Sequence, residues 1–142
     1  MDTFSANDRS FIMRQVKSKD TKPEMIVRSF LHKNGFRFRL HVKSLPGHPD
    51  IVLPKYRTVI EVRGCFWHRH KGCKAATMPT SNTDYWEEKF LRNMKRDKKT
   101  MASLQELGWN VIVIWECQIK KRVYLNRLPN RIIRNANNMP KT

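Results

Sequence analysis

The sequence predicts a single α/β domain in which a small mixed sheet is flanked by helices. Three observations carry this. A capped amphipathic segment begins at residue 21, short alternating or apolar runs follow between residues 36 and 63, and the pure apolar run "VIVIW" comes after a long helical pattern. The 142 residues suffice to bury a core in one unit spanning 1–142.

The elements follow in order. "SANDRSFIMRQVKSKD" predicts a short amphipathic helix with Phe11, Ile12 and Val16 on its apolar side. "TKPEMIVRSFLHKNG" predicts a helix over roughly 22 to 34, because Thr21 and Glu24 form a capping box, Pro23 sits in the first turn and Gly35 offers a stop. "FRFRLH" alternates as a strand does, and "SLPGHPD" turns the chain before the strand "IVLP". "RTVIEVRG" predicts a further strand with Val59, Glu61 and Arg63 on one face and Thr58, Ile60 and Val62 on the other. A helical pattern runs from Thr83 to about Leu107, ended by Gly108, and the apolar run in "WNVIVIWEC" suits a buried central strand. The remainder starts as a basic helix expected to fray after Pro129, leaving a basic tail of about 127–142 less ordered.

Charge limits the function classes. Lys and Arg outnumber Asp and Glu by 29 to 12, a formal charge of +17 spread along the whole chain, so nucleic acid is the first partner to consider. A purely DNA- or RNA-coating protein carries the same charge, so chemistry must be argued from particular residues. Three cysteines, an odd number, argue against a disulfide framework and for a reducing compartment. No run is long and apolar enough to span a bilayer, and no apolar leader opens the chain; the expectation is a cytoplasmic protein without a membrane partner.

Two constellations carry chemistry. "HPD" followed eleven residues later by "EVR" places Asp50 at the start of one strand and Glu61 and Arg63 on one face of the next. Convergent carboxylates bind a hard divalent ion, Mg²⁺ by preference, which polarises a phosphodiester. The spacing resembles the PD-(D/E)-x-K nucleases, with Arg63 where lysine usually stands; the competing reading is a turn aspartate and an exposed strand face. The second constellation is "CFWHRHKGC". Cys65, Cys73 and Cys117 need a histidine to complete a tetrahedral zinc set, and both His68 and His70 qualify by proximity. Against this stands the reading of the cysteines as small buried hydrophobes. A histidine not used for zinc could deprotonate water at neutral pH. Phe66 and Trp67 either pack a core or wedge between base pairs.

With these residues in place, the sequence strongly resembles the very-short-patch-repair (Vsr) DNA mismatch endonucleases. "SKDTKPE", "SLPGHPDIVLPKYRTVI", "GCFWHRHKGC", "YWEEKFLRNMKRD" and "LQELGWNVIVIWEC" carry the resemblance over roughly residues 8 to 120. It implies a restriction-endonuclease-like fold with a structural zinc, Mg²⁺ catalysis, and a nick 5′ to the thymine of a T:G mismatch left by 5-methylcytosine deamination, initiating very short patch repair. Position by position it implies Asp50 as metal-binding aspartate, His68 as the base that activates water, and Glu24 as an acidic residue near the active site. Cys65, His70, Cys73 and Cys117 match the zinc ligands. Phe66, Trp67 and Trp86 match an aromatic wedge, and Met13, Lys89 and Asn93 fall where the family contacts the mispair and its neighbours.

The chain departs from the family pattern at "EVR", where relatives carry an apolar residue at the position of Glu61 and His or Asp at that of Arg63. The residue between, Val62, matches one that offers a backbone carbonyl to the metal. From this we expect Glu61 to reach Mg²⁺ and Arg63 to contact the attacked phosphate. The expected partner is double-stranded DNA holding a T:G mismatch, with mismatch-repair proteins suggested by the family, acting at the nucleoid. One nick needs one active site, so a monomer is expected. The alternatives are a restriction-like nuclease of other specificity and a zinc-stapled DNA-binding module without catalysis.

Overall fold

The computed structural model describes residues 21–66, 68–74 and 76–137. The expected N-terminal helix with Met13, and Trp67, lie outside them.

Helix α1 spans Lys22–Lys33 and starts as its sequence predicts: the Thr21 side chain accepts from the Glu24 backbone N–H at 3.4 Å and Pro23 sits in the first turn. Gly35, at φ +81°, follows the Asn34 cap. The face at Glu24, Val27, Arg28 and Leu31 is buried, so α1 presents both an apolar strip and a charged pair to the interior.

The sheet runs β1 (Arg39–Leu40), β2 (Ile51–Leu53), β3 (Thr58–Arg63) and β4 (Asn110–Trp115), in that spatial order. The first two junctions are antiparallel and β3–β4 is parallel, so the sheet is mixed as expected. The strand expected across "FRFRLH" shrinks to two residues, because Phe36 turns into the core and His41 takes a left-handed backbone, φ 48°. The central position expected for β4 also needs correction: β4 closes one end of the described sheet and β3 lies inside it. Its continuous apolar run has another cause. Ile112 and Ile114 face the main core, while Val111 packs with Leu104 on the opposite side, so β4 is covered on both faces although it is an edge.

Helix α2, Thr83–Glu106, is the crossover joining β3 to its parallel neighbour β4. Helices α3, Glu116–Lys120, and α4, Arg122–Asn137, then cover the main core. The fraying expected after Pro129 does not occur, since α4 passes through that proline to Asn137. Leu125, Leu128 and Ile132 are buried along one face. Burying each contributes ~1.5–3 kcal/mol, which together exceeds the ~3 kcal/mol an interior proline costs.

On β3 the faces divide as the alternation requires. Ile60 and Val62 join the main core, Val59 joins the smaller cluster with Val52 and Leu104, and Glu61 pairs with Arg63. The turn before β2 is fixed from behind, because Gly47 adopts φ +73° and a Cβ there would collide with Thr100 Cγ2 on α2. The turn that leads to Asp50 therefore passes close to α2 at Gly47.

Candidate active site and metal centre

A cleft of about 860 Å³ opens where four parts of the chain meet. It is lined by the α1 N-terminus from Thr21 to Glu24, the turn from Gly47 to Asp50, the end of β3 from Glu61 to Gly64, and Asn93, Arg96, Asp97 and Thr100 of α2, with His68 and Glu116. All the carboxylates and the histidine singled out by sequence therefore share one space. The spacing of Asn93, Asp97 and Thr100 explains α2's part, since these positions stack along one helical face.

Glu24, His41 and Asp50 bring potential ligand atoms within 4.8 Å of one another. Glu24 is buried and accepts from Arg28 Nη2 at 3.2 Å, so its side chain turns inward while its backbone N–H serves the cap. Arg28 Nη2 also lies 3.0 Å from His41 Nε2. A guanidinium only donates, so Nε2 accepts, and Nδ1 stands 3.8 Å from Asp50 Oδ1. His41 thus lies between Arg28 and Asp50. Burial, then the Glu24 carboxylate, push Asp50 up to about 6; His41 and a backbone hydrogen bond from Val62 pull the other way. A half-buried carboxyl raised in this way beside another carboxylate is short of positive charge. The donor set suits a hard divalent cation.

Glu61 does not join this group. It lines the cleft and its charge raises Asp50, but its carboxylate accepts from Arg63 Nη2 at 2.7 Å. The two nearest neighbours on one strand face pair with each other, while Glu24 is the carboxylate whose ligand atom lies with that of Asp50.

His68 Nδ1 lies 2.7 Å from Asp97 Oδ2. An ionised carboxylate accepts only, so Nδ1 donates to Asp97 and Nε2 is the ring nitrogen left on the other side. Spacing from the aspartates of the turn does not reveal Asp97; its helical offset of four from Asn93 is the signal that would have. His41 was equally hidden, because it meets Asp50 only through the β1–β2 hairpin, where His41 N–H donates to the Asp50 carbonyl at 3.2 Å.

The second centre lies beyond the end of β3. Cys65, His70, Cys73 and Cys117 bring one ligand atom each within 4.8 Å of one another, and His70 Nδ1 is 3.4 Å from Cys117 Sγ. The choice left open between two histidines falls on His70. Arg69 between them takes φ 55°, which turns the chain so that His68 faces α2 and His70 faces Cys117. Arg69 donates to the carbonyls of Ala76 and Thr77 at 3.0 and 2.9 Å and holds the loop in that turn. Burial, with the adjoining Cys117 and Cys73 thiols, pushes the Cys65 thiol up to about 12. Three crowded sulfurs cannot ionise together without a cation, and one nitrogen beside three sulfurs is a donor set that fits zinc.

Phe66, Trp86 and Phe90 form an aromatic cluster: Phe66 meets Phe90 edge-on at 5.3 Å, and Trp86 stacks on Phe90 at 5.8 Å. Trp86 is buried in the DNA-free chain, whereas Phe66 is half-buried. Lys89 lies over the Trp86 ring at 5.7 Å and Asn93 faces the cleft. Among the described residues no helix is long and apolar enough to cross a membrane.

Comparison with known proteins gives a consistent result. The family described as DNA mismatch endonuclease Vsr matches residues 1–74. The Type II nicking enzyme V.NmeAIP of Neisseria meningitidis serogroup A is 46% identical over 133 residues, covering 94% of either chain. The Type II nicking enzyme V.XorIIP of Xanthomonas oryzae pv. oryzae is 50% identical over 118 residues, 83% of this chain and 86% of that one. The DNA mismatch endonuclease Vsr of Escherichia coli is 41% identical over 121 residues, 85% of this chain and 77% of that one.

Proposed function

Because the chain belongs to the Vsr family of DNA mismatch endonucleases, we propose that it nicks duplex DNA 5′ to the thymine of a T:G mispair by Mg²⁺-dependent hydrolysis, opening very short patch repair. The observation that carries this is one cleft holding the adjacent Asp50 and Glu24 carboxylates and the His68–Asp97 pair.

Binding begins with the basic surface, a salt-sensitive term without sequence information. Phe66, with Trp67 beside it, is the aromatic that enters the duplex at the mispair, where stacking is already weakened; Trp86 and Phe90 back it from inside. Met13, Lys89 and Asn93 contact the mispair and its flanks. Asp50 and Glu24, with the Val62 carbonyl, would hold Mg²⁺, which would supply charge neutralisation at the scissile phosphate. His68 Nε2 accepts a proton from the attacking water while Asp97 fixes the ring and stabilises its positive form. Arg63, held by Glu61, faces a non-bridging phosphate oxygen. The new P–O bond forms as the bond to O3′ breaks, leaving a 5′-phosphate and a 3′-hydroxyl. Cys65, His70, Cys73 and Cys117 would hold zinc, which would brace the loop that carries Phe66 and His68. The protein acts as a monomer, since one nick needs one centre.

Labelled duplexes carrying T:G, C:G or T:A at one site, incubated with Mg²⁺ or with EDTA, test the reading. Cleavage of the T-strand of T:G alone, lost in EDTA, is expected. Cutting of matched sites indicates a nicking enzyme of other specificity, and tight binding without any cut indicates a binding module.

A pH prediction follows from Asp50. Its carboxyl is raised from 3.8 to about 6, so the folded metal-free protein holds a proton that the unfolded chain has released between those values. The contribution to stability is therefore full below 3.8 and lost as pH rises to about 6. Mg²⁺ competes with that proton. Added Mg²⁺ should raise the melting temperature more at pH 7 than at pH 5, and nicking should fall below about pH 6, a fall that higher Mg²⁺ shifts to lower pH. A stabilisation by Mg²⁺ independent of pH across this range would disprove the assignment.

A further inference from the structure

Trp115 belongs to neither centre, yet it touches both. Its backbone lies opposite Arg63 in the β3–β4 register, and the Arg63 guanidinium sits over its ring, 5.8 Å from the centroid. The same ring stacks on the His70 imidazole at 4.1 Å, with 8° between the planes. His70 in turn stands 3.4 Å from Cys117, two residues beyond Trp115. The Trp115 backbone is anchored as well, because its N–H donates to the Gln118 side-chain oxygen at 3.1 Å.

Arg63 itself is held at a cost. Its side chain and that of Glu61 are 11% and 14% exposed, and its Nε is buried without a hydrogen-bond partner among the described residues. An orphaned buried donor is unfavourable, so the surroundings impose this position on Arg63. Glu61 fixes one end of the guanidinium and Trp115 provides the surface beside it. The group so held lines the cleft.

We propose that Trp115 is a positioning residue that couples the Cys/His centre to the cleft, by seating both the metal-ligating imidazole of His70 and the phosphate-facing guanidinium of Arg63. This deepens the function proposed above and rests on DNA binding at the cleft. The physical content is reciprocal: if an occupied centre steadies Trp115 and hence Arg63, then DNA on Arg63 must steady His70 on its metal by the same factor. Glu61 belongs to the unit, because it stops Arg63 from swinging off the indole.

The test uses the zinc-loaded full chain and follows zinc loss to a chromophoric chelator without Mg²⁺, with and without a saturating T:G duplex whose binding is checked by anisotropy. In the unsubstituted protein DNA should slow zinc loss by about 5- to 150-fold, the usual span of coupling between sites. The slowing should vanish in Trp115→Leu and in Arg63→Met, and persist in Trp115→Phe, which keeps a ring for His70. If DNA slows zinc loss equally in Trp115→Leu, it shields the metal directly and the proposal fails. It fails too if DNA has no effect in the unsubstituted protein. Trp115→Phe and Arg63→Met keep the test open should Trp115→Leu not fold. Zinc retention needs no cleavage, so a wrong substrate assignment appears in the duplex panel and not here.

Discussion

His68→Ala should lower single-turnover nicking by about 10²–10⁴-fold, the range a positioned general base contributes, while DNA affinity and melting temperature stay unchanged. The geometry makes this a sharp expectation. His68 is one-third exposed at its side chain, so truncation leaves no core cavity, and its one recorded side-chain partner among the described residues is Asp97 at 2.7 Å. Asp97→Asn is the informative companion. An amide can donate to Nδ1 where the carboxylate accepted, which favours the tautomer with its lone pair turned away from the cleft. Asp97→Asn should therefore slow nicking by about 10–100-fold, the cost typical of losing an orienting partner, and the double variant should be no slower than His68→Ala alone. Multiplying losses would mean that Asp97 acts apart from His68. Loss of DNA affinity in His68→Ala would make the histidine a contact residue.

Much of this architecture was legible in sequence because the controlling forces are local. The α1 start follows from Thr21 and Pro23, and the faces of β3 follow from strict alternation. What escaped depends on register and three-dimensional reversal. No spacing distinguishes His68 from His70; the left-handed Arg69 backbone separates them by turning the chain between. Asp50 and Glu61 looked like natural partners because neighbouring strands carry them, yet Arg63 is two residues from Glu61 on the same face and captures it at 2.7 Å. Glu24 looked like a capping residue and uses its backbone as one, while its carboxylate faces Asp50. His41 reaches Asp50 through hairpin pairing that no periodicity displays. Pro129 read as a stop because an exposed helix would have stopped there; burial of Leu128 and Ile132 on either side carries α4 through.

Cys117→Ser should do the opposite of His68→Ala, removing fold stability before chemistry. Cys117 is the ligand that comes from the far side of the centre: Cys65, His70 and Cys73 sit in one loop after β3, and Cys117 follows β4. The loop from Cys65 to Cys73 has turns and no ladder, held by bonds such as His70 N–H to the Cys65 carbonyl at 2.9 Å. A metal at these four residues would therefore tie the loop to the end of β4. Structural zinc contributes on the order of 10–16 kcal/mol at neutral pH, which equals or exceeds the ~5–15 kcal/mol total stability of a domain. Serine, a poor zinc ligand at neutral pH, should leave less than stoichiometric zinc, lower the melting temperature or prevent soluble expression, and lose DNA binding and nicking together. Chelation of the unsubstituted protein should reproduce this, with recovery on returning zinc. Cys117→Ser with full zinc content and an unchanged melting temperature would refute a structural metal at these four residues. Because His68 lies only two residues from His70, the contrast between the two variants locates the border between brace and catalyst within a single turn of chain.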